Sequence, residues 1–574
     1  MTTIAEMIVS ALAAEGVTQV WGVVGDALNP ITDAIRRDDR VEWVGVRHEE
    51  VAAYAAGAQA QLTGTIGVCM GTVGPGSIHL LGGLYDAKKS HAPVLAICGQ
   101  VPTAEIGSEY FQEVDNDSVF ADVAEFTATV TTAEQMPRLL EQAVNAAVSR
   151  QGVAVLTIPG DVGAMKLADP DARPRFVARD RTVVPGPDEL RQAAETLNKA
   201  EKVTLLVGIG ARQARAETLE LAAKLSAPMV LTIKAKEGLE HDNPYAVGQT
   251  GLIGNPAANA ALEDCDVLFL VGTDFPYRDW YPTGKTVIQL DSRLEHIGRR
   301  TAVDVAMVGH AGPALRELLP KLDAGKSDKH LTKARSHYQD WSERQLRLAE
   351  PKHDRKFLGR IRRHLDNPDE LIRPEAVAAA VDRHAADDAI FTSDTGMSTV
   401  WLSRFLTMRG SRRLLGSFNF GSMANAMPQA LGAQILDRDR QVVAFCGDGG
   451  LLMLLGDLRT AVTYDLPFTA VVFDNGRLGM VKLEQEEGGL PEFGTVLDNP
   501  DIAAVAAAMG LRSRRVTDPD ELDGAIAEAL GERRPVLLDV ITNPDEISVP
   551  PKPTLDQAWG FAIAKVKESI ESRA

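Results

Sequence analysis

Residues 447–475 read GDGGLLMLLGDLRTAVTYDLPFTAVVFDN, with QVVAFC (441–446) before them and GRLGM (476–480) after them. QVVAFC is short, apolar and β-branched, the composition of a buried parallel strand. Gly447-Asp448-Gly449 breaks it, and two glycines let the backbone turn sharply and approach a ligand closely. Leu451, Leu454, Leu455, Leu458 and Val462 then recur at helical spacing, which predicts a helix ending before Pro467. FTAVVF (468–473) is a second strand, ending in Asp474-Asn475-Gly476. Strand, turn, helix, strand puts a carboxylate at one strand tip and an amide at the next. In a parallel sheet both tips lie on the ligand-binding edge. One carboxylate with carbonyl-type oxygens is a Mg²⁺ donor set, completed by water and substrate phosphates. The following helix N-terminus suits a diphosphate.

Composition narrows the classes. At about 150 residues per domain, 574 residues imply three or four domains. Hydrophobic content of 45% supports large cores, and a net charge of −19 argues against a nucleic-acid partner. Cys69, Cys98, Cys265 and Cys446 lie in apolar runs without a CxxC pair, as expected of reduced core thiols in a cytoplasmic protein. The N-terminal MTTIAEMIVSALAAEG carries acids and is amphipathic, unlike a signal peptide. No apolar run approaches the ~20 residues needed to span a bilayer.

The rest of the chain repeats the strand–helix alternation of doubly wound parallel sheets. Strands are predicted at 20–25, 43–46, 66–71, 94–99 and 153–159. Between the second and third stands Arg47-His48-Glu49-Glu50, opening an Ala-rich helix whose dipole favours a carboxylate. His48, His79 and His91 border this region as structural or pocket-wall residues, and Gly74-Pro75-Gly76 is a tight turn. Residues 160–190, rich in Pro, Asp and Arg, form a linker. A second α/β block has strands at 203–208, 229–233, 267–272 and 287–291. Its third strand runs into Thr273-Asp274-Phe275-Pro276-Tyr277-Arg278, and its fourth ends at Asp291, about twenty residues past a glycine, a spacing suited to a ribose hydroxyl. Arg293, Arg299 and Arg300 offer phosphate-type donors nearby. Residues 320–370 are charged and helical in pattern. A third block opens with AIFTSD (389–394) and passes through Gly421-Ser422-Met423 to the stretch quoted first. Met480 and Glu484 are four apart and share a face if their segment is helical. Leu555, Trp559, Ile563, Val566 and Ile570 fall on one face of a final helix, which could dock on a membrane or pack on the protein itself.

The GDG-to-DN pattern resembles the thiamine-diphosphate (ThDP) binding motif, departing only at Asp474, where that family usually has Asn. RHEE with GTVGPGSIHL, and Thr250-Gly251-Leu252-Ile253 with GTDFPYR and QLD, extend the resemblance to about residues 1–565. The family resembled is the ThDP-dependent flavoenzymes of the pyruvate oxidase and quinone-reducing pyruvate dehydrogenase type. The resemblance implies an α/β fold of three doubly wound parallel-sheet domains plus a short C-terminal helical tail. They are a pyrimidine-binding domain (1–180), a central FAD domain (185–345), a charged connector (346–370), a pyrophosphate and Mg²⁺ domain (371–545) and the tail (546–574). It implies Asp448, Asn475 and the Arg477 carbonyl as metal ligands. Gly421, Ser422, Met423, Gly449, Gly450, Gly476, Leu478 and Gly479 complete the ThDP site, with Met423 as the apolar wedge that bends the cofactor. Glu49 becomes the cofactor-activating carboxylate, and Glu50 a structural neighbour. Phe111, Gln112, Met480 and Glu484 face the substrate, although an aromatic residue is common at position 480 in the family. Thr250, Gly251, Leu252, Ile253, Thr273, Asp274, Phe275, Pro276, Tyr277 and Asp291 would bind FAD. The implied activity is oxidation of pyruvate to acetate and CO₂ with a quinone acceptor, in a dimer or tetramer, cytoplasmic or peripheral on the inner membrane face. An acetolactate synthase-type ligase, an oxygen- and phosphate-using oxidase, and a non-catalytic ThDP-fold regulator are the alternatives.

Overall fold

The structure, a computed structural model, describes residues 2–167, 169, 172–176, 182–350, 367 and 370–546. Three six-stranded sheets form in chain order, and every strand pairing in them is parallel. The fold is therefore α/β, as the alternation of apolar strands and helices predicts.

The first sheet has the order β2-β1-β3-β4-β6-β5. Its strands are β1 (Gln19–Gly22), β2 (Glu42–Gly45), β3 (Gly67–Gly71), β4 (Val94–Gln100), β5 (Ala124–Thr129) and β6 (Val153–Pro159). The second, in order β12-β11-β10-β7-β8-β9, holds β7 (Val203–Val207), β8 (Met229–Leu231), β9 (Ala246–Gln249), β10 (Val267–Val271), β11 (Thr286–Asp291) and β12 (Val305–Val308). The third, β14-β13-β15-β16-β18-β17, holds β13 (Ile390–Ser393), β14 (Arg413–Gly416), β15 (Val442–Gly447), β16 (Thr469–Asp474), β17 (Arg512–Val516) and β18 (Val536–Ile541).

Strands β5, β9, β12, β14 and β17 lack the long apolar run that marks the others. All five are sheet edges, and β17 is mostly exposed. The helix predicted to run unbroken from the GDG turn to Pro467 is divided. It spans Asp448–Met453, breaks at Leu454, passes a 3₁₀ turn and resumes at Leu458–Thr463. The break lets Asp457 accept hydrogen bonds from the Arg47 and His48 amides of the first block, at 2.8 and 3.2 Å.

The first and third blocks share one core. The Glu49–Thr63 helix packs on the Ala426–Gln434 helix, and alanine and glycine faces let them approach closely. A Cβ on Gly432 would lie 2.4 Å from the Ala55 carbonyl oxygen. The middle block has its own cores around Leu205 and Leu268. All four cysteines are free and buried. Among the described residues, no helix is long and apolar enough to cross a membrane. The amphipathic tail expected at 555–574 and most of the charged connector lie outside the described residues.

Candidate active site

In the third sheet the chain leaves β13 on one side and β15 on the other, so the space between their C-terminal ends is the topological switch point where open α/β sheets take ligands. Gly447 and Asp448 stand there. Asp448 is 3% exposed; its Oδ1 accepts the Gly449 amide at 2.9 Å, and its Oδ2 accepts the Gly476 amide at 2.8 Å. The turns after β15 and β16 are thus tied by one carboxylate. Burial, with the Asp474 carboxylate beside it, pushes Asp448 above the usual range, a cost a cation would relieve. Asn475 Oδ1 accepts the Arg477 amide at 3.0 Å and keeps a second lone pair. Arg477 pairs with Val496 through bonds made by its neighbours Gly476 and Leu478, which turns its own carbonyl away from that ladder.

Asp448, Asn475 and the Arg477 carbonyl are all hard oxygen donors, the set Mg²⁺ prefers. Among the described residues no cluster of three or more His, Cys, Asp or Glu side chains could hold a metal, so a mixed set of this kind is what the edge offers. The backbone at Gly396, Gly421 and Gly447 borders open space, since a Cβ on any of them would meet no atom within 4 Å. A diphosphate-bearing cofactor fits this open, glycine-walled edge beside a helix N-terminus. Met423 closes it from one side; its Cε lies 3.5 Å from where a Gly449 Cβ would be, and Leu478 lines the same spot. A Gly450 side chain would clash with Asp394, and Gly479 lies against Met397 and Asn475.

Two neighbours escaped the sequence reading. Asn499 donates from Nδ2 to Asp448 Oδ2 at 2.7 Å and to Asp474 Oδ1 at 2.8 Å, holding two acids side by side. Asp394 is buried under the turn and accepts the Ala426 amide at 2.8 Å and the Gly447 amide at 3.2 Å. Burial pushes its carboxyl up to about 7. Asp394 ends the AIFTSD run, so the reasoning that picked Asp448 at a strand tip could have found it. Asn499 lies in a DNPD loop with no periodic signal.

In the first block the Glu49–Thr63 helix begins at Glu49, with His48 as its N-cap. His48 Nδ1 accepts the Glu50 amide at 3.2 Å, and the His48 and His79 rings stack at 4.6 Å. Glu49 is 7% exposed, and its Oε2 lies 3.0 Å from His79 Nδ1. A Cβ on Gly76 would come within 2.9 Å of Thr72 Cγ2 and 3.1 Å of Glu49 Oε1, so the GPG turn packs tightly against the acid. Glu50 points toward Gly82 and Tyr54, and burial raises its carboxyl. Phe111 is 79% exposed, and Gln112 takes a left-handed conformation (φ +67°) with its carbonyl against Gly74. Among the described contacts, none joins the Glu49 side chain to Asp448, Asn475 or Met423 of the same chain.

The middle sheet has its switch point between β7 and β10. Gly208 and Gly210 lie against Gly272 and Thr273 so closely that a Cβ on Gly208 would fall 2.3 Å from the Gly272 carbonyl. Gly251 (φ +94°) lies under the Phe275 and Tyr277 rings, and Thr250 Oγ1 donates to Asn259 at 2.8 Å. Leu252 and Tyr277 are partly exposed, as a ligand-facing wall would be. Asp291 ends β11, fixed by the Arg293 amide at 2.9 Å and His296 Nδ1 at 3.3 Å. The arginines expected to serve phosphate are engaged otherwise. Arg299 and Arg300 pair with Asp274 at 2.9 and 3.1 Å, and Arg293 donates to the Arg150 carbonyl. Asp274 is thereby an arginine anchor; Pro276 continues its loop.

Met480 and Glu484 lie on the Gly479–Glu487 helix, as their spacing predicts. Met480 packs on the third block's core, and so does Ile253 of the middle block. Burial, with a smaller contribution from the Glu484 carboxylate, raises the Tyr277 phenol.

Three family models match in order: the thiamine pyrophosphate enzyme N-terminal TPP binding domain over residues 2–119, the central domain over 190–318, and the C-terminal TPP binding domain over 394–540. The protein YdaP of Bacillus subtilis (strain 168) is 38% identical over 97% of this chain and 94% of its own length. The pyruvate oxidase of Lactiplantibacillus plantarum is 32% identical over 99% of this chain and 93% of its own. The acetolactate synthase isozyme 2 large subunit of Escherichia coli (strain K12) is 33% identical over 93% of this chain and 95% of its own. With three ordered models, near full-length relatives and the switch-point geometry in agreement, the chain belongs to the thiamine pyrophosphate enzyme family.

Proposed function

We propose that the protein oxidises pyruvate and water to acetate and CO₂, passing two electrons through FAD to a quinone. The observation that carries this reading is the approach of the two expected cofactor regions. Tyr277 of the middle block lies within electrostatic reach of Glu484 of the third, and Ile253 packs on the third block's core, on which Met480 also packs. A flavin beside a ThDP site can accept electrons released there. Similarity to a pyruvate oxidase over nearly the whole chain supports the same reading.

Bound ThDP supplies an electron sink that lets a 2-keto acid lose CO₂. Asp448, Asn475 and the Arg477 carbonyl would hold Mg²⁺ and through it the diphosphate. Met423 would pack against the bound cofactor as its apolar support. Glu49, mostly shielded from water, holds a proton at the aminopyrimidine ring nitrogen. Glu484 moves a proton on the substrate side, with Phe111 and Gln112 closing that side. The middle block takes FAD along Thr250–Ile253, Thr273–Tyr277 and Asp291.

No described contact joins Glu49 to Asp448 within one chain, and both blocks carry exposed apolar side chains: Val24 and Phe111 in the first, Phe493 and Val496 in the third. A second copy covering both surfaces would bring one chain's Glu49 to its partner's Asp448. A monodisperse active monomer in sedimentation would refute that assembly.

The direct test is anaerobic mixing of the ThDP-, Mg²⁺- and FAD-loaded protein with pyruvate. Bleaching of the flavin, reversed by a short-chain ubiquinone, is expected. Acetolactate without bleaching would assign a ligase, and peroxide with acetyl phosphate an oxygen-using oxidase. Absence of CO₂ release would leave a non-catalytic protein. Quinone activity before and after removal of residues 555–574, with and without lipid vesicles, tests the tail as a membrane contact.

A further inference from the structure

Met423 sits between two left-handed residues, Gly421 (φ +78°) and Ala424 (φ +65°). Glycine adopts that conformation freely, but alanine there costs about 1 kcal/mol or more and persists only where its surroundings hold it. On the C-terminal side the anchors come from the third block itself. Ala426 donates its amide to Asp394, and Asn425 Nδ2 donates to the Ser393 carbonyl at 2.9 Å. On the N-terminal side the Ser422 amide donates to Ser417 Oγ at 3.0 Å.

A further anchor comes from the first block. The Tyr54 hydroxyl donates to Ser422 Oγ at 2.5 Å, and Ser422 Oγ donates in turn to the Met423 carbonyl at 3.0 Å. The Tyr54 hydroxyl also interacts with the Glu50 carboxylate on its own helix, so it bridges Glu50 and Ser422. Tyr54 is 1% exposed and lies five residues after Glu49 on the same helix. A phenol so deeply buried keeps a fixed partner. A rigid helix therefore joins the acid at its start to the backbone of the expected cofactor wedge.

We propose that Tyr54 is a positioning residue of the cofactor site: through Ser422 it holds the turn at residues 421–424 that presents Met423, and so couples the helix whose Glu49 would serve one ThDP of the dimer to the apolar support beneath the other. This rests on the ThDP reading of that turn, and the test separates the two. ThDP affinity in the presence of Mg²⁺ is measured by calorimetry on Tyr54→Phe, Ser422→Ala and the double variant, with melting of each cofactor-free protein alongside.

Tyr54→Phe is expected to weaken ThDP binding about 5- to 10-fold, the range of one lost hydrogen bond. Steady-state turnover is expected to fall with KM for the 2-keto acid unchanged. Ser422→Ala should do the same, and the double variant no more than either alone, because both break one chain of bonds. Wild-type affinity in Tyr54→Phe, or losses that multiply in the double variant, would overturn the proposal. A drop in cofactor-free melting with unchanged ThDP affinity would overturn it too, leaving Tyr54 a packing residue only. If the wild-type protein bound no ThDP, the underlying reading would fall and this inference with it.

Discussion

The two outer sheets follow one strand order, while the middle sheet follows another. Numbered within each block, the outer sheets run 2-1-3-4-6-5, and the middle one, from its far edge, runs 3-2-1-4-5-6. The second order belongs to dinucleotide-binding sheets, with the ligand across the reversal between strands one and four. That reversal is where Gly208 lies against Gly272. The outer pair teaches something different, since identical order does not give identical ends. After the third strand of each, the first block has Gly71-Thr72-Val73 and the third has Gly447-Asp448-Gly449. After the fourth, the first block ends in Gln100, whose side chain is used up on Val101 and Val114, and the third ends in Asp474-Asn475. At these strand tips the third block carries the acid and amide expected to serve a metal, and the first does not; the first instead places Glu49 at the head of its interfacial helix. Topology fixes where a ligand lies, and the residues at the strand tips decide which part of it each block takes.

The strongest way to break this division of labour is Glu49→Gln. The amide keeps size and burial but cannot hold the proton as the acid does. Turnover is expected to fall by about 10³-fold, within the range of acid–base contributions, while ThDP and Mg²⁺ still bind. Near-normal turnover would mean that the third block works alone and that the first is only its structural twin.

A second test uses an asymmetry between the two outer sheets. Asp394 stands after the first strand of the third block, where the first block has Val23-Val24. Its folded-state carboxyl is pushed up to about 7 by burial, above an unfolded value near 3.9. The folded protein therefore binds this proton more tightly than the unfolded chain. The stability it contributes is complete below about pH 4 and is lost as pH rises toward 7, at about 1.4 kcal/mol per pH unit in that window. Melting of the metal-free protein at pH 5.5 and pH 8, set against Asp394→Asn, isolates this group. The wild-type protein should lose more stability than the variant between the two values, and equal losses would exclude Asp394 as the source.

These tests rest on unequal legibility. The interior strands were readable because burial on both faces demands continuous apolar runs, as in VVAFC and AVVF. Edge strands carry no such mark: β14 (RLLG) is only four residues long, and β17 (RSRRV) is mostly exposed. Asp448, Asn475 and Glu49 were visible because their chemistry is local to a strand tip or a helix start. Asn499, Asp457 and Tyr54 were not, because each acts on a residue tens to hundreds of positions away. The helix break at Leu454 was hidden for the same reason. The leucine spacing favours a continuous helix, and the bonds from Arg47 and His48 to Asp457 override it.

The middle sheet's distinct order can be sharpened through Asp291. The Arg293 amide and His296 hold its carboxylate at the end of β11. Asp291→Asn keeps the shape and exchanges one acceptor for a donor. FAD affinity is expected to drop about 10-fold, the scale of one charge-assisted hydrogen bond, with ThDP affinity unchanged in the same preparation. Equal loss of both cofactors would mean that the middle block supports the whole assembly and has no separate nucleotide role.

The smallest effect is expected where the middle and third blocks meet. Met480 opens the Gly479–Glu487 helix and packs on the core that also receives Ile253 and Phe418. Methionine is flexible and fills irregular space, so a pocket walled by it adapts to substrates of different length. Phenylalanine at the same place is stiffer and bulkier. Met480→Phe should therefore leave kcat/KM for pyruvate within about threefold while lowering it for the next longer 2-keto acid about 10-fold, since one methylene in an apolar pocket is worth roughly 1–3 kcal/mol. The ratio of the two substrates is the quantity to follow, because a general loss of fit would lower both together. A ratio unmoved by the substitution would take Met480 out of the substrate wall and leave it as packing between the helix and the flavin-side loop.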